Sequence, residues 1–400
     1  MTASPAGAGS RPRPFHLRPW IRRIHLWLGL ALGLPFLVIA LSGAALVFYI
    51  ELDALLHPEI RVASAGPAPG WTSPVWDQAL ATVRAEWPGE TGKWSFEVTG
   101  RPGAIPARYY PPAGAHVSHH EIDPLMVWLT PDGGEVLREA RWGDYLMTWL
   151  YDLHMNLLAG ELGNDVVGWT GVATLVLLLT GLVVWWPRGS LRKALAYKRH
   201  ASGSRRLYDL HKLLGLGSLL LLLILSGTGA LLALPAEKTW LLERLVAPVV
   251  PVPAPTSTTG TGRQVSVAQA LAVAERALPG ARLAWIDVPG PGDGVFRIRA
   301  QVPGDPTHRF PYSFVFVDQY SGAVLAVHDA GAGTASTVVS NWIRPLHDAS
   351  VAGLPTRFLG LAAGLVPAGL FVTGFLRWRA RGRSRRDSPR PRRTAFSKRG

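Results

Sequence analysis

The 400-residue chain contains no cysteine. Its absence removes disulfides, cysteine-ligated iron–sulfur clusters and the Cys-x-x-Cys-His attachment that fixes a haem covalently. Any haem would therefore be held non-covalently. Acid is also scarce, with 27 Asp and Glu against 41 Lys and Arg and a net charge of +14. A basic surplus can mark a nucleic-acid surface, but its distribution here argues otherwise. Lys and Arg concentrate in residues 11–23, 188–206 and 377–399, and each cluster abuts a long apolar run. This is the pattern of positive cytoplasmic flanks around membrane spans, so membrane lipid is an expected partner and nucleic acid is not. A Gly-rich phosphate loop, a Gly-x-Ser-x-Gly elbow and a His-Glu-x-x-His motif are missing too, and with them any built-in flavin, NAD or zinc-protease chemistry that these motifs would signal. Electrons for redox chemistry would have to come from another molecule.

Four stretches, 26–50, 166–186, 213–234 and 358–376, approach or exceed the roughly 20 apolar residues that cross a bilayer. Placing every basic cluster in the cytoplasm predicts a multi-pass protein with both termini inside. The first stretch is long for a signal peptide and lacks a small-x-small cleavage site near its end, so it reads as a retained anchor. Arg22-Arg23 reads as a juxtamembrane pair. Trp185, Trp186, Trp240, Trp342 and Trp378 fall near the expected interfaces, as an aromatic belt requires. The resulting division is a basic cytoplasmic N-terminus (1–23), span 24–50, exterior module 51–145, interfacial helix and loop 146–165, span 166–186 and basic loop 187–208. Then follow span 209–234, a linker with the second exterior module (235–340), interfacial segment 341–357, span 358–378 and basic tail 379–400.

The two exterior segments look like copies. Ala79-Leu80 with Pro88-Gly89 matches Ala270-Leu271 with Pro279-Gly280 at constant offset, and 127–137 matches 315–325. Alternating apolar residues and Gly-bearing turns in the second segment predict a helix over 267–277 and strands near 282–288, 295–301, 314–317 and 323–328. Residues 248–262 read as a proline-rich linker. The expected fold is an α-helical membrane protein with four transmembrane helices and two periplasmic α+β modules, built by internal duplication.

Four histidines repeat with their surroundings. His25-x3-Gly29-Leu30 opens one apolar stretch and His211-x3-Gly215-Leu216 opens another. Asp152-Leu153-His154 precedes Gly160 and Thr180-Gly181, and Pro345-Leu346-His347 precedes Gly353 and Thr373-Gly374, at the same spacings. The register breaks elsewhere: Ser42-Gly43 follows His25 by seventeen residues, whereas Ser226-Gly227 follows His211 by fifteen, so the inner spans do not read as strict copies. Histidine is costly in a membrane and is the commonest metal ligand. A two-fold arrangement would set His25 opposite His211 on the inner side and His154 opposite His347 on the outer side. Each pair would then be suited to clamp one haem iron, and two haems at two depths would carry electrons across the membrane. The competing reading is four polar anchors at the interfaces, since duplication copies anchors as readily as ligands. Gly29 and Gly215 would clear space for a flat macrocycle or for close helix approach. Arg22, Arg23, Arg205, Arg206 and Arg344 lie close enough in sequence to pair with haem propionates, although cytoplasmic topology explains the first four equally. His116, His119 and His120 form a small cluster in a loop, either touching iron or a chelate or simply solvated. His57 reads as a helix-end residue.

These pieces together resemble the PepSY-associated transmembrane-helix family of bacterial inner membranes. The resemblance rests on His25-x3-Gly29-Leu30 with Ser42-Gly43, on Asp152-Leu153-His154 with Thr180-Gly181-Leu182 and Trp185-Trp186-Pro187-Arg188, on His211-Lys212-x2-Gly215, on Pro345-Leu346-His347 and on the two PepSY-like modules. It covers nearly all of residues 15–380. Some members are similar to ferric-siderophore reductases that bind two b-type haems. The resemblance thus implies haem-ligand roles for His25, His211, His154 and His347, a periplasmic ferric siderophore as substrate, and a cytoplasmic or quinol electron donor that the sequence does not identify. Siderophores hold Fe(III) through hard oxygen donors and Fe(II) poorly, so one electron releases the metal. Two other classes stay open: a non-redox PepSY binding or regulatory protein, and a siderophore or iron permease. Pro35 and Pro367 interrupt the first and fourth spans, but no acidic residue sits mid-span, which counts against transport.

Overall fold

A computed structural model describes residues 17–112, 124–187, 189–258 and 263–386. In chain order the elements are α1 (Leu17–Leu46), α2 (Tyr49–Leu56), α3 (Val75–Glu86), strands β1 (Lys93–Glu97), β2 (Ile105–Tyr110), β3 (Leu125–Leu129) and β4 (Val136–Arg141), α4 (Leu146–Asn156) and α5 (Gly160–Trp185). Next come α6 (Leu191–Leu195), α7 (Gly203–Ala233), α8 (Pro235–Leu245), α9 (Val267–Ala277), β5 (Arg282–Val288), β6 (Val295–Gln301), β7 (Ser313–Asp318), β8 (Val324–His328), α10 (Ala335–His347) and α11 (Leu354–Arg386). Among the described residues α1, α5, α7 and α11 are long and apolar enough to cross a membrane, with mean hydropathy between 1.9 and 2.2 over their most apolar windows.

The long helices start before the apolar stretches do. Arg18, Arg22 and Arg23 lie within α1, and Arg205 and Arg206 within α7. Arginine is a good helix former, so the basic flank continues the helix instead of ending it. His25 and His211 consequently sit more than two turns inside their helices rather than at the starts. Pro35 and Pro367 are accommodated within continuous helices.

The chain divides into two compact units. Among the described residues, one draws on residues 17–37, 172–223 and 366–386, and the other on 38–171 and 224–365. In the first unit, helical segments of α1, α5, α7 and α11 pack together. Arg18 donates to the carbonyls of Val184 and Trp186 at 2.8 and 3.0 Å, satisfying orphan acceptors at the end of α5. Asp209, fully buried, is held by Lys212 Nζ (3.0 Å), Arg205 Nε (3.2 Å) and the Lys198 amide (3.2 Å).

The second unit contains one eight-stranded antiparallel sheet in the order β4-β3-β2-β1-β5-β6-β7-β8. The sequence suggests two separate modules, but their strands join edge to edge. β1 pairs with β5 from Trp94 opposite Val288 to Glu97 opposite Trp285. An isolated four-strand meander would leave β1 as an open edge, and pairing the two removes that liability. The helix and strands expected in the second module fall where α9, β5, β6, β7 and β8 lie. One sheet face is covered by α3 and α9 over a core that includes Trp76, Val83, Phe96, Leu271, Ile286 and Phe296, all essentially inaccessible. Ser266 and Gln269 close a capping box at the start of α9. The opposite face carries charge, including Glu97, Arg108, Asp287, Arg297 and Arg299, beside an apolar cluster of Met126, Trp128, Tyr145 and Met147.

Candidate functional site

The four histidines come together as two pairs, one in each unit. In the first unit the His25 and His211 ring centroids are 6.4 Å apart with an 80° interplanar angle. In the second, His154 and His347 are 5.9 Å apart at 33°. All four side chains are half-buried.

Every one of these rings is held in the same way. His25 Nδ1 lies 3.1 Å from the Leu177 carbonyl and 3.3 Å from Thr180 Oγ1. His211 Nδ1 lies 3.1 Å from the Leu370 carbonyl and 3.0 Å from Thr373 Oγ1. For His154 the partners are the Ile39 carbonyl (2.8 Å) and Ser42 Oγ (3.4 Å), and for His347 the Leu225 carbonyl (3.1 Å) and Thr228 Oγ1 (3.3 Å). The residue after each hydroxyl is a glycine. An added Cβ there would stand 2.9 Å from His25 at Gly181, 2.6 Å from His154 at Gly43, 2.8 Å from His347 at Gly229 and 3.4 Å from His211 at Gly374. The recurring device is a carbonyl, two intervening residues, then Ser or Thr, then Gly: the carbonyl orients the imidazole, and at Gly43, Gly181 and Gly229 the missing Cβ gives it room. The three hydroxyls of Ser42, Thr180 and Thr228 already donate to carbonyls on their own helices, as does Thr373, so they can accept a weak second contact from the ring edge.

This arrangement corrects the register. The counterpart of Ser42-Gly43 is Thr228-Gly229, not Ser226-Gly227. Thr228 follows His211 by seventeen residues, as Ser42 follows His25. The Ser226 carbonyl instead backs the close approach of Gly171 to α7, and the Ala40 carbonyl backs that of Gly364 to α1. Gly29 and Gly215 face Leu177 and Leu370 respectively, each at 3.6 Å from a would-be Cβ, an ordinary helix contact.

The backbone around His154 and His347 explains another repeated spacing. α4 ends two residues past His154, and Leu157 and Leu158 turn left-handed with φ of 53° and 59°. α10 ends on His347, and Ala349 has φ 57°. Gly160 (φ 58°) and Gly353 (φ 69°) then admit the chain to α5 and α11, a conformation glycine adopts at little cost. Both glycines stand six residues past their histidine, because the same reversal is made twice.

The donor chemistry fits a haem iron. A carbonyl can only accept, so each Nδ1 carries the proton and each Nε2 keeps its lone pair, the tautomer of a metal-binding imidazole with its outer-shell partner in place. Among the described residues no Nε2 of the four makes a hydrogen bond to the protein. The centroid separations of 6.4 and 5.9 Å would leave room for a metal ion between the two imidazoles of each pair. No three His, Asp or Glu among the described residues converge as ligands for a bare ion; His25 with His211 and His154 with His347 would each hold a metal whose remaining ligands come from a macrocycle. Burial, followed by the neighbouring His154, pushes His347 down to about 4, and burial lowers His154 as well. Both imidazoles of this pair are therefore neutral at pH 7.

Other candidates resolve differently. Arg205 is committed to Asp209 and Arg23 lies over Trp20 at 5.2 Å, while Arg22 and Arg206 are exposed. Arg344 lies over Phe310 at 5.1 Å. His57 caps α2 and sits 3.1 Å from Arg138 Nη2. His116, His119 and His120 lie outside the described residues. The sequence singles out Thr180-Gly181, Thr373-Gly374 and Ser42-Gly43 by their spacing, but not Thr228-Gly229, nor which ring each pair supports.

No curated protein matches the chain. The family model for the PepSY-associated TM region matches residues 22–381, and the chain belongs to that family.

Proposed function

We propose that the protein is a dihaem electron-transfer protein of the bacterial inner membrane that reduces a ferric siderophore on the periplasmic side and releases Fe(II) for iron acquisition. The observation that carries this reading is the fourfold repetition of one ligand-orienting device, with Nδ1 fixed and Nε2 free. Interfacial anchors would not need the same carbonyl, hydroxyl and glycine around every ring. His25 and His211 would hold an inner b-type haem, and His154 and His347 an outer one. Bound haem supplies one-electron chemistry, which suits release of iron from hard oxygen donors. The chain's residues fix the imidazole tautomer, set the ring separation and surround each ligand with apolar helix.

In this reading both termini are cytoplasmic, the sheet unit is periplasmic, and the two halves arose by internal duplication. The paired contacts Gly171 with Ala230 and Gly364 with Ala44, at matching positions of the two halves, support the duplication. The electron donor is cytoplasmic or a quinol. The continuity of α1 and α11 through their prolines gives transport no support, because permeases use broken helices at the substrate site.

The test is turnover. Dithionite-reduced protein in detergent, freed of excess reductant, should convert a ferric hydroxamate to Fe(II) captured by a ferrous-specific chelator, while His154→Ala should not. Reduced wild-type protein that leaves several ferric siderophore classes intact would overturn the proposed activity.

A further inference from the structure

The charged face of the sheet contains more guanidinium than carboxylate. Glu97, Trp285, Arg299, Phe314 and His328 stand directly opposite one another across β1, β5, β6, β7 and β8. Arg309 takes both Glu97 oxygens at 2.6 and 2.8 Å. Asp287 is satisfied by Arg297 at 2.6 Å, Ser95 at 2.5 Å and Lys93 at 3.5 Å. Both acids are thus used. Yet Arg299, half-buried, lies 4.9 Å over Phe314 and 5.8 Å from Phe310, and Arg344 lies 5.1 Å from the same Phe310 ring. Among the described residues neither arginine has a carboxylate within ion-pair distance. Arg344 has the Tyr151 hydroxyl beside it and feels Asp348 at longer range, while Asp348 itself accepts from the Ser350 amide at 3.0 Å. Half-buried Lys238 adds a third positive charge near Arg344.

For Arg299, partly buried charge without a carboxylate in contact is costly, and burial together with the neighbouring Arg297 disfavours its charged form. An arriving anion would remove that cost. Planar guanidiniums fixed on aromatic rings are suited to carboxylate oxygens. Arg344 is three residues, one helical turn, before His347 on α10, so such a site borders the outer pair.

We propose that Arg299 and Arg344 form a carboxylate-binding site beside His154 and His347. The carboxylates come either from the propionates of the outer haem or from a soluble carboxylate-bearing ferric chelate. The first source rests on the haem reading above; the site itself does not.

Citrate is the probe. Full-length protein prepared without haem should be stabilised thermally by citrate beyond the effect of chloride at equal ionic strength. Arg299→Gln and Arg344→Gln should each weaken that response about tenfold or more, as loss of a charge-assisted hydrogen bond implies. Without citrate, Arg299→Gln should melt no lower than wild type, because it removes an unpaired charge; this shows the variant is folded. Haem-loaded protein separates the sources. Loss of the citrate response on loading, with weaker uptake of haem dimethyl ester than of haem, assigns the site to propionates. A citrate response that survives loading assigns it to the soluble chelate. The proposal is overturned if haem-free protein responds to citrate no more than to chloride and takes up the diester as well as haem. Citrate binding by protein that takes up no haem would leave the site standing while sinking the dihaem reading.

Discussion

Alanine at Gly43 perturbs the outer pair without touching a ligand. The added Cβ would stand 2.6 Å from His154 Cε1 and 3.0 Å from Nδ1, against the 3.4 Å at which ordinary contact begins. The ring would have to retreat by about 0.8 Å, the difference between 3.4 and 2.6 Å. It is tied at 2.8 Å to the Ile39 carbonyl, so the retreat also strains that bond. Overpacking of this kind costs about 1–3 kcal/mol, and Gly→Ala inside a helix returns about 1 kcal/mol. If the His154–His347 pair holds a haem as proposed, the net cost of about 0–2 kcal/mol would be up to roughly 30-fold in its affinity. Gly374→Ala is the internal comparison: its Cβ meets His211 at 3.4 Å and should leave the inner haem unchanged. Gly33→Ala would run into Phe371, costing stability but no ligand geometry. Haem-to-protein ratio under limiting haem, with reduced-minus-oxidised spectra to separate the two haems, reads all three variants. Equal losses in Gly43→Ala and Gly374→Ala, or outer-haem loss in Gly33→Ala, would refute the role assigned to the glycines.

Three further outcomes follow from the same geometry. Asp209→Asn strands the buried Lys212 ammonium and should cost about 3–5 kcal/mol, read as a lower thermal midpoint that Asp209→Asn/Lys212→Met partly restores. Glu97→Gln leaves Arg309 without its bidentate partner and should destabilise the sheet unit by a similar amount, measured by denaturant or heat with the helical signal as a control. The outer histidines titrate below their unfolded value of 6.5, with His347 near 4, so the unfolded chain binds more protons in that window and stability falls as pH drops from about 6.5 toward 4. His347→Gln should flatten that part of the pH–stability curve of the haem-free protein.

Much of this architecture is legible in the sequence because it rests on local signals. The four apolar stretches, the basic flanks, and the helix and strands of the second module each follow from periodicity or composition within one segment. The edge-to-edge joining of β1 and β5 does not, because that pairing links residues such as Phe96 and Ile286 that share no local pattern. The same holds for the ligand supports: His154 is oriented by Ile39 and Ser42, and His347 by Leu225 and Thr228, each on another helix. Matching Ser226 to Ser42 favoured residue identity over spacing. Thr228 performs the hydroxyl role equally well, so offset was the better guide.

The account depends most on which histidines share an iron, and haem content of the His154→Ala/His347→Ala double variant tests that directly. Wild-type protein supplied with haem should carry two low-spin haems per chain, and each single variant one. The double variant should also carry one, because both residues serve the same iron. A folded, colourless wild-type preparation, or a double variant that loses both haems while retaining its fold, would contradict the pairing.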